Sequence, residues 1–129
     1  MRTWWLGNQV YVATTVAAGC ILGAELSPTA GTEDLQAAYG VFAQEVSQLN
    51  QDYQPQTVNT DGWDATKAVW NNLFPDVSLI LCFLHSVLAI GQRCRSQRAL
   101  WQALSDKLWD MYHAADAPGF IERLRHLQA

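Results

Sequence analysis

The chain has 129 residues, half of them hydrophobic, and carries a formal net charge of −4 at neutral pH. This length and composition suit one domain with an ordinary core and exclude an intrinsically disordered chain. No apolar run approaches the roughly 20 residues of a membrane-spanning helix, and the N-terminus lacks the apolar core of a signal peptide, so we expect a cytoplasmic protein.

The first half of the sequence predicts a hairpin followed by a helix. Residues 9–17 and 20–26 are rich in Val, Ile, Thr and Leu, which favours strands, and only Ala18-Gly19 separates them. Two strands joined by so short a turn pair antiparallel. Apolar residues then recur at spacings of three and four over residues 32–49, which predicts an amphipathic helix.

The second half predicts two more strands and further helices. Residues 56–60 are short and β-leaning, residues 64–74 keep helical spacing until Pro75, and residues 77–83 are almost continuously apolar. The last of these patterns is typical of a strand covered on both faces. Helices are expected at about 85–94, 97–113 and 118–128. Strands alternating with helices indicate an α/β fold with one mixed sheet.

The domain organisation follows from the same patterns. No internal repeat, low-complexity tract or long linker divides the sequence. We therefore expect residues 1–129 to form a single domain, in which residues 1–84 supply the sheet and two helices and residues 85–129 a helical region.

Asp61 is the first candidate functional residue. It comes at the end of a predicted strand and is followed by Gly62, which permits a tight turn. Acids at the carboxyl ends of strands in open α/β sheets face the crevice where ligands bind, and carboxylates are suitable ligands for Mg²⁺. An Asp-Gly pair is also typical of a simple turn, so both interpretations stay open on these residues alone.

Cys82 and His85 are the second candidate site. A zinc site needs about four ligands, and this pair supplies two of them. On composition alone, a structural thiol with a hydrogen-bonded histidine explains the pair best. The three cysteines, Cys20, Cys82 and Cys94, are irregularly spaced and do not suggest a disulfide framework.

A third candidate site is the cluster of Arg93, Arg95 and Arg98. Residues 1–66 hold one basic residue and seven acids, whereas residues 67–129 hold seven basic residues and five acids. Such a cluster is able to contact DNA phosphates, although solvated arginines at a helix junction are the simpler interpretation. The negative net charge argues against a free-standing nucleic-acid-binding domain.

Asp61 and the Cys82-x-x-His85 pair belong to a longer series of characteristic residues. The series is Asp61-Gly62-Trp63-Asp64-Ala65-Thr66, Ala68-Val69-Trp70, Leu73-Phe74-Pro75 and Cys82-x-x-His85. It resembles the middle of the catalytic core of bacterial DDE-type transposases related to the Mutator-like group. The resemblance implies a ribonuclease-H-like fold, Mg²⁺ as cofactor and transposon-end DNA as substrate. It makes Asp61 the second of three metal-binding catalytic acids, and Cys82 and His85 a secondary site.

The same resemblance implies that this chain is incomplete. It extends from Thr3 to about Tyr112, with residues 3–16 similar to the second strand of the family and residues 19–24 similar to the third. The first strand and its acid lie just before the position of Thr3 in relatives, so both are expected to be missing. The third acid is a glutamate, and Glu122 is the only late one here. We therefore expect a transposase fragment that has no activity alone and does not retain Mg²⁺.

Two alternatives remain. The chain can be a non-catalytic interaction or regulatory module that self-associates, or pairs with an intact transposase, through an exposed sheet edge. It can also be a small zinc or thiol protein that uses Cys82 and His85.

Overall fold

The computed structural model describes residues 1–128, which fall into two compact units, Met1–Ile80 and a second that begins at Leu81. The described elements are β1 (Arg2–Trp5), β2 (Asn8–Ala17), β3 (Cys20–Ser27), α1 (Thr32–Leu49), β4 (Thr57–Thr60), α2 (Asp64–Leu73), β5 (Ser78–Leu81), α3 (Phe83–Arg93), α4 (Arg98–Tyr112) and α5 (Ala117–Gln128). The predicted mixture of α and β structure is confirmed.

The first three strands form an antiparallel sheet in the order β1-β2-β3. Two-residue turns join them, at Leu6-Gly7 and Ala18-Gly19, and all four of these residues have positive φ. Positive φ at both central residues is the requirement of the type I′ turn, whose twist matches that of the flanking strands. The predicted hairpin of residues 9–17 and 20–26 is confirmed.

The N-terminal residues differ from the prediction. The resemblance grouped residues 3–16 in one strand, but Arg2–Trp5 is a separate strand that ends at the Leu6-Gly7 turn. Arg2 stands opposite Tyr11, and Met1 continues the pairing by exchanging two backbone hydrogen bonds with Val12. A strand therefore does precede β2.

The single mixed sheet that we expected is not observed. Strands β4 and β5 form a separate parallel pair, and among the described residues no strand bridges β2 and β4. As a result, β2 beyond Val12 and β4 each have one edge without a neighbouring strand among the described residues. Strand β5 is also less covered than its apolar sequence predicts, with Ile80 and Leu81 about half exposed.

The core of the first unit lies among α1, α2 and the start of β5. Its buried members are Phe42, Trp70, Phe74 and Val77, and the Trp70 and Phe74 rings stack with centroids 5.8 Å apart. Val69 of α2 is completely buried. Packing in this core holds α2 in place, and α2 follows the short loop that contains Asp61.

The second unit is helical. Helices α3, α4 and α5 follow the three predicted segments, and their buried core residues are Val87, Leu108 and Met111. Within residues 1–128, no helix combines the length and apolar character needed to span a bilayer.

Candidate functional site

Asp61 lies in the loop between β4 and α2, directly after the strand as the pattern predicted. Gly62 has a φ of 84°, a left-handed conformation that reverses the chain into α2. The amide of Gly62 donates to the Thr60 hydroxyl oxygen at 3.2 Å, and the amide of Trp63 donates to Oδ1 of Asp61 at 3.0 Å. The Asp61 carboxylate is exposed, and within residues 1–128 its Oδ2 accepts no hydrogen bond. One carboxylate oxygen thus stabilises the turn while the other remains available to a ligand.

Asp61 lines a cleft of about 350 Å³ in the first unit. One wall is Thr14 to Ala17 of β2, and the other is Thr57 to Thr60 of β4. We call this space the strand-edge cleft. Its size falls at the lower end of ordinary ligand pockets. Asp61 is the sole charged residue among the described residues that line it.

Three aromatic side chains from α1 and α2 line the same cleft, those of Tyr39, Phe42 and Trp70. Tyr39 is half-buried and packs on Trp70 with ring centroids 5.3 Å apart. Burial raises the pKa of the Tyr39 phenol, and the neighbouring Asp61 carboxylate raises it further. A neutral phenol therefore stays beside the carboxylate well into the alkaline range.

The acids that the structure describes do not assemble a two-ion centre. Within residues 1–128, no three His, Cys, Asp or Glu side chains converge on one point. A lone carboxylate can hold one Mg²⁺ loosely, with water or phosphate completing its coordination, whereas two-metal catalysis needs several ligands in fixed positions. Glu122 lies exposed on α5 of the second unit. The donor set fits one weakly held cation and does not fit a catalytic pair.

Cys82 and His85 are brought together at the start of α3 in the second unit. Cys82 is the residue before the helix, and the nearby His85 side chain is the main cause that lowers the pKa of its thiol. Backbone amides of His85 and Leu84 lower this pKa further, while partial burial opposes them. The pair is a histidine-supported thiol at a helix N-terminus, where a thiolate is favoured.

The three arginines surround the corner between α3 and α4. Arg93 is in the last turn of α3, Arg95 in the connecting turn and Arg98 at the first position of α4, and all three are exposed. Within the described residues none of them forms an ion pair. Arg98 stands at a helix N-terminus whose first turn contains no acid, where the helix dipole disfavours positive charge. An anion bound at this corner would relieve that repulsion.

Local sequence patterns did not indicate the strand-edge cleft or the role of Tyr39; only the first strand that the resemblance implies to be missing leaves a gap between the hairpin and the strand before Asp61. Nothing in residues 9–17 or 56–60 reveals that each strand leaves one edge unpaired, because pairing depends on segments distant in sequence. Tyr39 falls within the amphipathic helix predicted over residues 32–49, and its neighbour Asp61 is 22 positions away. Spacing within one helix carries no signal for such a contact.

Comparison of the chain with models of known protein families, with curated proteins and with solved structures gave no match.

Proposed function

We propose that this chain is part of the catalytic core of a DDE-type transposase, in which Asp61 is one of the metal-binding acids. The observation that carries the proposal is the position of Asp61 at the carboxyl end of a strand, beside a cleft and in the short loop before a helix. Metal-binding acids of α/β enzymes occupy such positions. The resemblance of residues 61–85 to the transposase series supplies the choice of enzyme class.

The order of elements in the first unit supports an incomplete ribonuclease-H-like core. An antiparallel meander of β1, β2 and β3 is followed by a helix, a strand, a second helix and a strand parallel to the previous one. In the proposed fold a full-length central strand joins the meander to β4. Here β1 covers only the beginning of β2, and the space beside the rest of β2 is the strand-edge cleft.

A single metal-binding acid limits what this chain does by itself. In-line displacement at a phosphodiester needs two ions to activate the attacking oxygen and stabilise the leaving one. Asp61 supplies one ligand for that arrangement, and the described residues supply no partner acid at the cleft. We therefore infer a DNA-associated piece without cleavage or strand-transfer activity.

The arginine cluster supports DNA as the partner. Arg93, Arg95 and Arg98 are exposed without ion pairs, so their charges are available to phosphates. The net charge of −4 predicts weak binding, and phosphate contacts by the three arginines predict that the affinity falls as salt rises.

The experiment is fluorescence anisotropy with a labelled DNA duplex at several salt concentrations, followed by incubation of supercoiled plasmid with the protein and Mg²⁺. We expect the binding constant to fall as salt rises. The slope of its logarithm against the logarithm of salt concentration should decrease in magnitude by about one for each of the three arginines replaced by glutamine. We also expect the plasmid to stay intact in the presence of the protein and Mg²⁺. Arg2→Gln, which removes a cation of the first unit, is the matched control and leaves binding unchanged.

Two outcomes would oppose this proposal. Binding that is indifferent to salt and to the three arginines would remove DNA as the partner. Plasmid cleavage that is lost in Asp61→Asn would show a competent centre and so overturn the inference that this chain has no cleavage activity by itself.

A second candidate function rests on Cys82. The lowered pKa of its thiol, caused mainly by His85, favours a reactive thiolate and hence a small thiol protein. The zinc form of this alternative has less support, because no three potential ligands converge within residues 1–128. Metal analysis of the purified protein separates the two forms, since a zinc protein would contain the metal in stoichiometric amount and lose it in Cys82→Ser.

A further inference from the structure

The antiparallel sheet of β1, β2 and β3 has one face against α1 and one face that is open. Ala13 and Ser27 are buried on the first face. A Cβ added to Gly23 would lie 3.4 Å from Phe42 of α1 on the same side. Side chains alternate along a strand, so the neighbours of these residues point to the other side, which we call the open face. Its large apolar side chains are exposed or half-buried and are those of Trp5, Val10, Val12, Val16, Ile21 and Leu26.

The charges of this sheet lie on the side that the helix covers. Arg2 and Glu25 are the only charged side chains of its three strands, and the pairing register places both on the α1 side. The α-ammonium of Met1 donates to the Val12 carbonyl in the plane of the sheet, so it lies at the rim of the open face. An antiparallel sheet with a solvated face usually turns polar side chains to water. The reversed pattern here is typical of a surface that another molecule covers.

Large and small side chains alternate in rows across the open face. A small row of Thr14 and Ala24 lies between two large rows. The large rows are Val12 with Leu26, and Val16 with Ile21. Successive rows lie about 7 Å apart, because two residues of a strand separate them. The open face thus has a groove between two ridges, and a ridge of one such face fits the groove of another.

We propose that two copies of this chain pack open face to open face, related by a two-fold axis, with their β2 strands antiparallel. The row of Val12 and Leu26 in each copy then lies in the groove of Thr14 and Ala24 of the other. Facing sheets pack about 10 Å apart with their strands within about 30° of each other, a spacing that interdigitated side chains fill. The contact is isologous and closes as a dimer.

The same alignment matches the rest of the face. Trp5 of one copy lies against the Ala18-Gly19 turn of the other, where the side chains are smallest. Val16 of one copy lies against Val10 of the other. Because the open face carries no ionisable side chain among the described residues, two identical faces also meet without like-charge repulsion. These two properties favour a second copy as the occupant.

The area of the face limits the strength of this dimer. The three strands cover about 350 Å² per copy, less than the roughly 800 Å² per partner of a standard interface. The dimer is therefore weak and reversible. The net charge of −4 lies outside the open face and opposes association, so screening by salt should strengthen the dimer. DNA binding has the opposite salt dependence, so the two proposals fail independently.

The test is sedimentation velocity of the full chain at about 10 to 500 µM, in reducing buffer because Cys20 is exposed. We expect an equilibrium between monomer and dimer that shifts to dimer as salt rises. Ala24→Arg places a charge in the groove and should lower the association constant by about tenfold or more. Ala37→Arg makes the same change at an exposed alanine of α1 and is the matched control, which should leave association unchanged. Circular dichroism verifies that both variants are folded.

NMR of valine and leucine methyl groups gives a second test that needs no variant. The signals of Val12, Val16 and Leu26 should shift as protein concentration rises, whereas that of Leu49, which is exposed on α1, should not. A chain that stays monomeric at the highest concentration, or a dimer that Ala24→Arg does not weaken, would overturn the proposal. Methyl shifts confined to the second unit, or assembly beyond a dimer, would also overturn it, because a two-fold contact between open faces is closed.

Discussion

The Asp61 carboxylate lies close enough to the Tyr39 phenol to raise its pKa, although the two residues come from a loop and a helix 22 positions apart. Burial is the larger cause, and the negative charge of Asp61 adds to it. This relationship places Asp61 at the aromatic floor of the strand-edge cleft and gives a spectroscopic reporter of its charge.

Replacing Asp61 with Asn should lower the pKa of Tyr39 only in part. The charge disappears but the burial remains, so the pKa should still exceed its ordinary value of 10.0. Because the folded pKa is raised, Tyr39 stabilises the fold below pH 10.0, and this contribution is lost as pH rises through the folded pKa. Ultraviolet titration with Tyr39→Phe as the subtraction control measures the shift. An identical Tyr39 pKa in Asp61→Asn would show that the carboxylate does not face the phenol.

Two helical glycines should respond differently to alanine. A Cβ at Gly40 of α1 would meet nothing within 4 Å, so Gly40→Ala should stabilise the protein by about 0.5–1 kcal/mol. A Cβ at Gly91 of α3 would lie 3.0 Å from the Trp101 ring, and displacing that ring costs about 1–3 kcal/mol. Gly91→Ala should therefore be net destabilising. Chemical denaturation of both variants measures the difference, and equal stabilisation would contradict the contact.

Cys82 should react with iodoacetamide at lower pH than an ordinary thiol. His85→Leu removes the side chain that is the main cause of the lowered pKa and should move the pH midpoint of alkylation upward. Since the folded pKa is below the ordinary 9.0, the thiolate stabilises the fold above pH 9.0, and this stabilisation is lost as pH falls through the folded pKa. Mass spectrometry resolves Cys82 from exposed Cys20, the internal control. A midpoint unaffected by His85→Leu would exclude this effect of His85.

Arg98 and Arg93 should have opposite effects on stability. Arg98 begins α4, where positive charge is unfavourable, so Arg98→Gln should stabilise by about 0.3–1 kcal/mol at low salt. Arg93 is in the last turn of α3, where a cation is favourable, and Arg93→Gln should destabilise by about the same amount. Thermal unfolding at low and high salt checks both, since salt should diminish each effect. Stability changes of the same sign in both variants would mean that the helix dipoles do not determine the effects of these two arginines.

Local sequence patterns predicted most of the helices and strands, and they predicted the position of Asp61 at a strand end. The alternation in residues 9–17 and the Ala18-Gly19 turn predicted the hairpin, and the strand, acid and glycine order predicted a carboxylate at a strand end. Strand β1 was missed because it has four residues and turns at Leu6, which has an unusual positive φ. Gly7 was the available signal, since glycine at the second turn position is typical of such hairpins.

Local sequence patterns did not predict which distant strands pair with one another. The apolar run of residues 77–83 predicted a fully covered strand, yet β5 ends at Leu81 and Phe83 already begins α3. A short apolar run does not distinguish a buried strand from the start of a helix. The separation into two sheets, and hence the cleft, depends on what lies between β2 and β4, which no local pattern encodes.

The most direct test of the central claim is NMR line broadening by Mn²⁺, used in place of Mg²⁺, because it locates a weakly held cation without requiring activity. The account predicts that the amides of Gly62 and Trp63 broaden first, that Asp61→Asn abolishes this effect, and that Asp76→Asn, which removes another exposed carboxylate of the first unit, leaves it intact. Broadening around Gly62 that persists in Asp61→Asn, or broadening spread evenly over all acids, would contradict a metal-binding role for Asp61.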